Sequence, residues 1–398
     1  MIKKILPTMI GAALAGGVTV AAADVTVFGH IDTSVDYTDQ DGGYDATNMN
    51  CNTCSIGFKG SEDLGNGLKA IFKIDFQYDT TERNTGKASS RSSTRTINTA
   101  TQITNTTTTT TGGVVNTGVT VTNFGTTTIR GVTNVSDTSS ITDRDQWLGL
   151  AGNFGQVRFG TISTLYKSHG AMLDPYYRTA QQQRDRGLQS DLHRGAGEQG
   201  QGRAEDTIRY DSPDWNGLQA GAHYTIQTDT GGSTDSPWGV GAQYKNGPFL
   251  VFADYITSDE GGDDSAYKVG GKYELGMFSF MAQYEVDDGL ISARGANQVN
   301  GTGKGDGADT WMLGATATLG NAMAYFGYGR ADDGGSGSIA SEYDVWQLMA
   351  SYNMSKRTMF YGGFSEIDCD STDNNVCARV NSKGGEDDKL SFGMKHLF

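Results

Sequence analysis

The last ten residues, Lys389-Leu-Ser-Phe-Gly-Met-Lys-His-Leu-Phe398, alternate between two faces. Leu390, Phe392, Met394, His396 and Phe398 fall on one side, with Lys389, Ser391, Gly393, Lys395 and Leu397 on the other. The same period of two runs through residues 25–37, where Val25, Val27, Ile31, Val35 and Tyr37 oppose Thr26, His30, Asp32, Ser34 and Asp36. It returns where Leu68, Ala70, Phe72, Ile74, Phe76 and Tyr78 alternate with Lys69, Lys73, Asp75, Gln77 and Asp79. A period of two describes a strand and gives no coherent helical face. Sixteen such strands are predicted, centred near residues 31, 56, 73, 148, 158, 208, 222, 241, 252, 270, 282, 314, 326, 348, 361 and 393. The faces around 252, 326 and 361 are ambiguous.

Short turns alternate with long loops between these strands. The turns include Asp63-Leu-Gly-Asn-Gly67, Asn153-Phe-Gly155, Pro213-Asp-Trp-Asn-Gly217, Asn246-Gly247 and Leu319-Gly-Asn321. The loops, rich in Asp, Gly and Ser, cover 38–50, 228–236, 258–265, 287–308, 331–342 and 367–387. Large apolar groups on one face of a terminal strand suit a barrel in lipid, where the last strand pairs with the first and leaves no edge. The predicted fold is therefore all-β, a 16-stranded antiparallel transmembrane β-barrel.

Composition points the same way. Only 36% of residues are hydrophobic, against 56 glycines and 5 prolines, too lean for a large soluble core but suited to a barrel with lipid outside and water inside. Residues 1–23 read as a signal peptide: Lys3-Lys4, an apolar stretch from Ile5 to Val20, and the small triplet Ala21–Ala23. Its removal leaves 375 residues from Asp24 (24–398) and, because it carries Lys3 and Lys4 but no acid, takes the net charge from −15 to −17. No other segment reaches the roughly 18 consecutive apolar residues of a membrane helix. The acidic balance also argues against a nucleic-acid partner, since no basic stripe is available for phosphates.

Four cysteines form two close pairs, Cys51/Cys54 and Cys369/Cys377. Export favours disulfides over metal ligation, with local pairing expected and the two cross-linked arrangements left open. Two loops stand apart. Residues 80–143 form a Thr-rich external insertion with six threonines from Thr106 to Thr111; Val114–Asn123 and Thr126–Val135 alternate Val and Thr, as a hairpin would. Residues 164–205 lack strand periodicity and mix Asp174, Asp185, Asp191, Glu198 and Glu205 with Lys167, Arg178, Arg184, Arg186, Arg194 and Arg203. That loop either caps the barrel or folds inward.

The chain resembles the trimeric general porins of Gram-negative bacteria, especially the neisserial and proteobacterial branch. The resemblance rests on Ser55-Ile-Gly-Phe-Lys-Gly-Ser-Glu-Asp-Leu-Gly-Asn-Gly-Leu-Lys-Ala70, Gly149-Leu-Ala-Gly-Asn-Phe-Gly-Gln-Val-Arg-Phe-Gly160, Ile208-Arg-Tyr-Asp-Ser-Pro213, Tyr352-Asn-Met-Ser-Lys-Arg-Thr358 and Phe392-Gly-Met-Lys-His-Leu-Phe398, in the family's order. It implies a homotrimer in the outer membrane that passes small hydrophilic solutes and ions. It also implies an inward-folded third loop at 164–205, a second loop at the Thr-rich insertion that contacts the neighbouring subunit, and an assembly signal ending at Phe398. The family commonly has Arg at the position of Thr161, so one basic group is missing here.

Permeation needs a water-filled lumen, polar groups to replace lost hydration, and a field that sorts charge. The inward faces supply Lys59, Lys69, Lys73, Asp75, Arg158 and Arg209, with Lys268, Lys272, His30 and Asp32; Asp174, Asp185, Asp191 and Glu198 of the loop are expected to face the basic wall. Acidic external loops, Asp259-Glu-Gly-Gly-Asp-Asp264, Asp332-Asp333 and Glu386-Asp-Asp388, would concentrate cations and offer hard ligands for Ca²⁺. Net charge favours a weak cation preference, with a substrate-selective anion or sugar channel, or a surface adhesin built on the Thr-rich loop, as alternatives. No enzyme is indicated. Gly301-Thr-Gly-Lys-Gly-Asp-Gly307 precedes a strand rather than a helix, and the five histidines show no metal spacing.

Overall fold

The computed structural model describes residues 24–40, 45–81, 88–97, 105–111, 114–120, 127–136, 141–193, 202–226, 236–258, 264–288, 290, 309–332, 342–369 and 385–398. Its strands are β1 (Asp24–Gln40), β2 (Ala46–Cys51), β3 (Ser55–Gly65), β4 (Leu68–Tyr78), β5 (Ala88–Ile97), β6 (Asn105–Thr111), β7 (Val114–Thr120), β8 (Thr127–Ser136), β9 (Ile141–Gly152), β10 (Gly155–Ser163) and β11 (Arg203–Asp211). They continue with β12 (Leu218–Thr225), β13 (Trp238–Asn246), β14 (Phe249–Ser258), β15 (Asp264–Leu275), β16 (Phe278–Asp288), β17 (Thr310–Leu319), β18 (Ala322–Ala331), β19 (Tyr343–Asn353), β20 (Thr358–Cys369) and β21 (Gly385–Leu397). The proposed signal segment lies outside the described residues.

Sixteen of these strands make a closed antiparallel barrel, each near a predicted centre. From β1 the ladder runs through β3, β4 and β9, then in chain order from β10 to β21. It closes where β21 pairs with β1, from His30 opposite Leu397 to Gln40 opposite Asp387, so no backbone edge faces lipid. Short turns form where the backbone must reverse sharply; Gly65, Asn66 and Gly67 take positive φ values of 86°, 53° and 77°, open to glycine and tolerated by asparagine.

The two faces are inverted relative to a soluble protein. On the outside Val25, Leu148, Leu313 and Phe392 are 56%, 62%, 55% and 61% exposed, whereas Asp32, Gln347 and Ser391 on the inside are at 0%. Exposed aromatics gather at the short-turn end (Trp215, Tyr244, Phe249, Tyr273, Tyr352) and at the other end (Tyr37, Tyr224, Trp238, Tyr267, Tyr284, Tyr328). Aliphatic Val240, Val251, Val269 and Leu348 lie between them. Two aromatic girdles around an apolar band are the signature of an outer-membrane barrel.

Several loop boundaries are corrected by the ladder. The first loop was expected over 38–50, yet β1 extends to Gln40 and β2 carries the chain back along it, Thr33–Thr38 opposite Cys51–Ala46. β2 and β3 thus act as one strand interrupted at residues 52–54. A Cys51–Cys54 disulfide clips that break, as local pairing predicted, and excludes the cross-linked arrangements for this pair. Asn52 fills the gap: its backbone N–H donates to Asp32 O at 2.8 Å, and its side chain donates to Asp32 Oδ1 at 2.7 Å and Ser34 Oγ at 2.8 Å. Cys369 ends β20, and Cys377 lies outside the described residues. Glu386, Asp387 and Asp388, expected in an external loop, belong to β21 and pair with Asp368, Ile367 and Glu366 of β20.

Residues Glu82–Ser140 form a compact unit of their own. Here β5 pairs with β8, and β6, which holds the threonine run, pairs with β7. The two Val/Thr segments do contain strands, β7 and β8, but each pairs with an earlier strand rather than with the other. Ile141–Asp143, expected in this insertion, begin β9 and pair with β4.

Candidate functional site: the loop and the inner wall

After β10, Thr164 caps the short helix Leu165–Gly170, its Oγ1 accepting from the Lys167 backbone N–H at 3.2 Å. The loop then runs through tight turns at Ala171–Leu173, Gln183–Asp185 and Asp191–His193. Leu173, Tyr176, Ala180 and Leu188 pack into one apolar cluster with Phe252, Met281, Met312, Tyr325, Val345, Met349, Tyr361 and Ile367 of β14–β20. Their alternation with exposed residues puts those strand side chains on the inner face, so an apolar core forms inside the barrel.

Polar contacts fix the register of this packing. Gln183 Nε2 donates to Tyr325 OH at 2.9 Å, Gln181 Nε2 to Ser391 Oγ at 3.0 Å, and Gln347 Nε2 to Gln181 O at 2.6 Å. Arg186 donates to Ser365 Oγ at 2.7 Å and pairs with Asp387 at 3.1 Å. Nearer the helix, Tyr166 OH and Ser190 Oγ donate to Glu285 at 2.9 and 2.6 Å. Lys268, expected to line the lumen, is instead buried beneath the loop with its Nζ 2.8 Å from His193 Nε2.

The loop acids depart from expectation. Asp174 does not face the basic wall. It is buried, and its two oxygens accept from the backbone N–H groups of Tyr176 and Gln183, each at 2.9 Å. Burial pushes its carboxyl up to about 7, opposed by those two bonds. Asp185 accepts from the Gln182 side chain within its own turn. Asp191 sits in a 3₁₀ turn, and Glu198 lies outside the described residues.

The opposite inner wall is charged. Lys59, Lys73, Asp75, Arg158 and Arg209 all fall on the inward face of β3, β4, β10 and β11, and Lys69 shares that face near the short-turn end. Lys59 faces Lys73 across the ladder, and both ammoniums lie 5.5 Å from the Phe28 ring. A Cβ at Gly57 would stand 2.5 Å from that ring, so glycine leaves room for it. A bulge in the β4–β9 pairing between Ile74 and Phe76 turns neighbouring Arg144 and Asp145 inward together, which alternation alone could not reveal.

Three carboxylates on this wall are shared among six cations. Asp75 meets Lys73 (3.8 Å), Arg144 (3.3 Å) and Arg178 (3.9 Å). Asp145 meets Lys73 (3.0 Å) and Arg203 (2.9 Å), and Asp211 meets Arg158 and Arg209. Arg178 and Arg184 of the loop stack on Tyr177 at 5.6 and 5.0 Å, and Arg158 on Trp147 at 5.1 Å. Sequence reasoning missed Arg144 and the three aromatic supports, and placed the loop arginines without a partner.

A family model for Gram-negative porins matches residues 9–372. The chain belongs to the Gram-negative porin family. Its barrel sits in the outer membrane. The major outer membrane protein P.IB of Neisseria meningitidis serogroup A / serotype 4A is 26% identical to this porin over 254 residues, 61% of the porin and 57% of the relative. The porin thus aligns with little more than half of that relative's length. Among solved structures, an anion-selective porin from Comamonas acidovorans superposes with a TM-score of 0.63 at 21% identity, covering 94% of this porin and 100% of the other. Vibrio cholerae OmpT in its trimer form gives 0.58 at 13%, covering 95% and 100%. At these identities the likeness is one of fold.

Proposed function

We propose that this porin is a non-enzymatic diffusion channel for small hydrophilic solutes and ions, narrowed by residues 164–193 and favouring small anions at its constriction. One observation carries the preference: six wall and loop cations share three carboxylates. Lys59 and Arg184 add further positive charge without a carboxylate partner among the described residues. Fixed charges act within about one Debye length, ~8 Å in physiological salt, so this wall sets the field beside it. The net charge of −17 pointed toward cations, but it sums over the whole chain, and the acids within 259–263 lie outside the described residues.

Assembly as a homotrimer is part of the same proposal, supported by the exposed apolar outer face and by the trimer form of the Vibrio cholerae neighbour. The reversal potential of a single channel in a potassium chloride gradient tests the preference. A value on the chloride side supports it, and one on the potassium side rejects it. A second reading, surface attachment through the Thr-rich segment, is favoured by the separate compactness of Glu82–Ser140. Deleting residues 90–140 should then abolish attachment and spare conductance; unchanged attachment rejects it.

A further inference from the structure

Among the described residues, the base of the constriction loop holds more cations than carboxylates to pair with them. Lys167 is 2% exposed, and its Nζ has no hydrogen-bond partner among the described residues. The helix that carries it is tied beside β11, because Thr164 N–H donates to Gly202 O at 3.0 Å, one residue before Arg203. The charged groups acting on its ammonium are Arg203, Arg184, Asp145 and Arg144. Asp145 is already engaged by Lys73, Arg203 and Ser163 Oγ at 3.0, 2.9 and 2.8 Å. Asp75 is likewise taken by Lys73, Arg144 and Arg178.

Four cations, Lys73, Arg144, Arg178 and Arg203, thus share two carboxylates, Asp75 and Asp145, while Lys167 and Arg184 have no carboxylate partner among the described residues. Burying unpaired charge is strongly unfavourable. Lys167 has one escape, loss of its proton, and burial followed by Arg203 and Arg184 does hold its pKa well below the usual ammonium value. The guanidiniums have no such escape, since they keep their protons at any ordinary pH. The Nε atom of Arg178 is also buried without a hydrogen-bond partner among the described residues, leaving a donor unspent.

We infer that this cluster of cations is a binding site for a multiply charged tetrahedral oxyanion, inorganic phosphate or sulfate, held by Lys167 Nζ with the guanidiniums of Arg184, Arg203 and Arg144. Guanidinium forks match such an anion's oxygens in pairs, and an ammonium adds a point charge. The anion is retained rather than passed, and it ties the loop's first helix to β9 and β11. The inference rests on the basic-wall reading, but its test measures heat stability instead of current, so either can fail without the other.

Purified protein in detergent is heated in chloride, sulfate or phosphate at equal ionic strength while far-UV circular dichroism follows unfolding. Near saturation, phosphate should raise the wild-type midpoint over chloride by about 3 °C or more, with sulfate close behind. Lys167→Met should abolish that anion-specific shift. Should Lys167→Met fail to fold, Arg203→Gln takes its place with the same expectation. A wild-type midpoint indifferent to phosphate, or a shift that survives in the folded variant, overturns the site.

Discussion

The two halves of the inner wall hold the same loop by opposite means. On the β14–β20 side, Leu173, Tyr176 and Leu188 bury against Met281, Met312, Tyr325 and Met349, with glutamine and serine bonds setting the register. On the β3–β11 side, the contacts are guanidinium and ammonium groups sharing a few carboxylates over Phe28, Trp147 and Tyr177. Apolar packing is short-ranged and satisfied by contact, so it anchors. Charge acts at longer range across water, so under the proposed function this is the side that sorts ions. One loop is thus pinned by apolar contact along one side and bordered by charge along the other.

The largest effect is expected from breaking the anchor. Leu188 is fully buried, and Leu188→Ala should weaken loop attachment by about 2–5 kcal/mol while the strand ladder persists. Single-channel conductance should rise and become noisier with unchanged far-UV circular dichroism; an unaltered conductance would show that the apolar side does not hold the loop. Next comes the charged side. Arg178→Gln, which removes one of the cations sharing Asp75, should lower the chloride-to-potassium permeability ratio by up to about fivefold, the factor for about 1 kcal/mol at contact in water. An unchanged ratio would place the ion path elsewhere.

The smallest effect sharpens the boundary between the halves. Asp174 has a folded pKa of about 7, raised above the ordinary value of 3.8 by burial. A raised carboxyl contributes stability that is fully present below its unfolded value and is lost as pH rises through about 7. Open-channel noise should therefore grow as the pH passes about 7, and Asp174→Asn should flatten that dependence. The amide of that variant would leave one of the two backbone donors short of an acceptor, so its noise should be modestly higher at every pH. A wild-type channel equally quiet in mildly acidic and mildly alkaline buffer would show that Asp174 does not couple to the loop.

Strand identity was legible because it needs only local alternation, and all sixteen barrel strands and the β1–β21 seam follow from it. Lys59, Lys73, Asp75, Arg158 and Arg209 were legible for the same reason, since parity fixes which face each occupies. Parity fails where the register slips. The bulge opposite Asp75 put Arg144 and Asp145 on one side, and the break at residues 52–54 hid β2 inside an expected loop. The ambiguous faces near 252, 326 and 361 were a real signal: those strands carry apolar groups on both sides, one for lipid and one for the loop.

The sequence by itself determined the barrel, its strand count, its closure and its lipid-facing surface, because alternation and turn chemistry act between near neighbours in the chain. Only the tertiary structure decided what each inward charge does. Asp174 became a buried turn acceptor, Lys268 a buried support, and Lys167 an ammonium without a hydrogen-bond partner among the described residues. Those roles depend on which distant strand the loop meets, and no pattern within 164–205 encodes the partner across the lumen. Net charge summed over the chain carries no such information; the field in a pore belongs to the few groups that folding brings within a Debye length of one another.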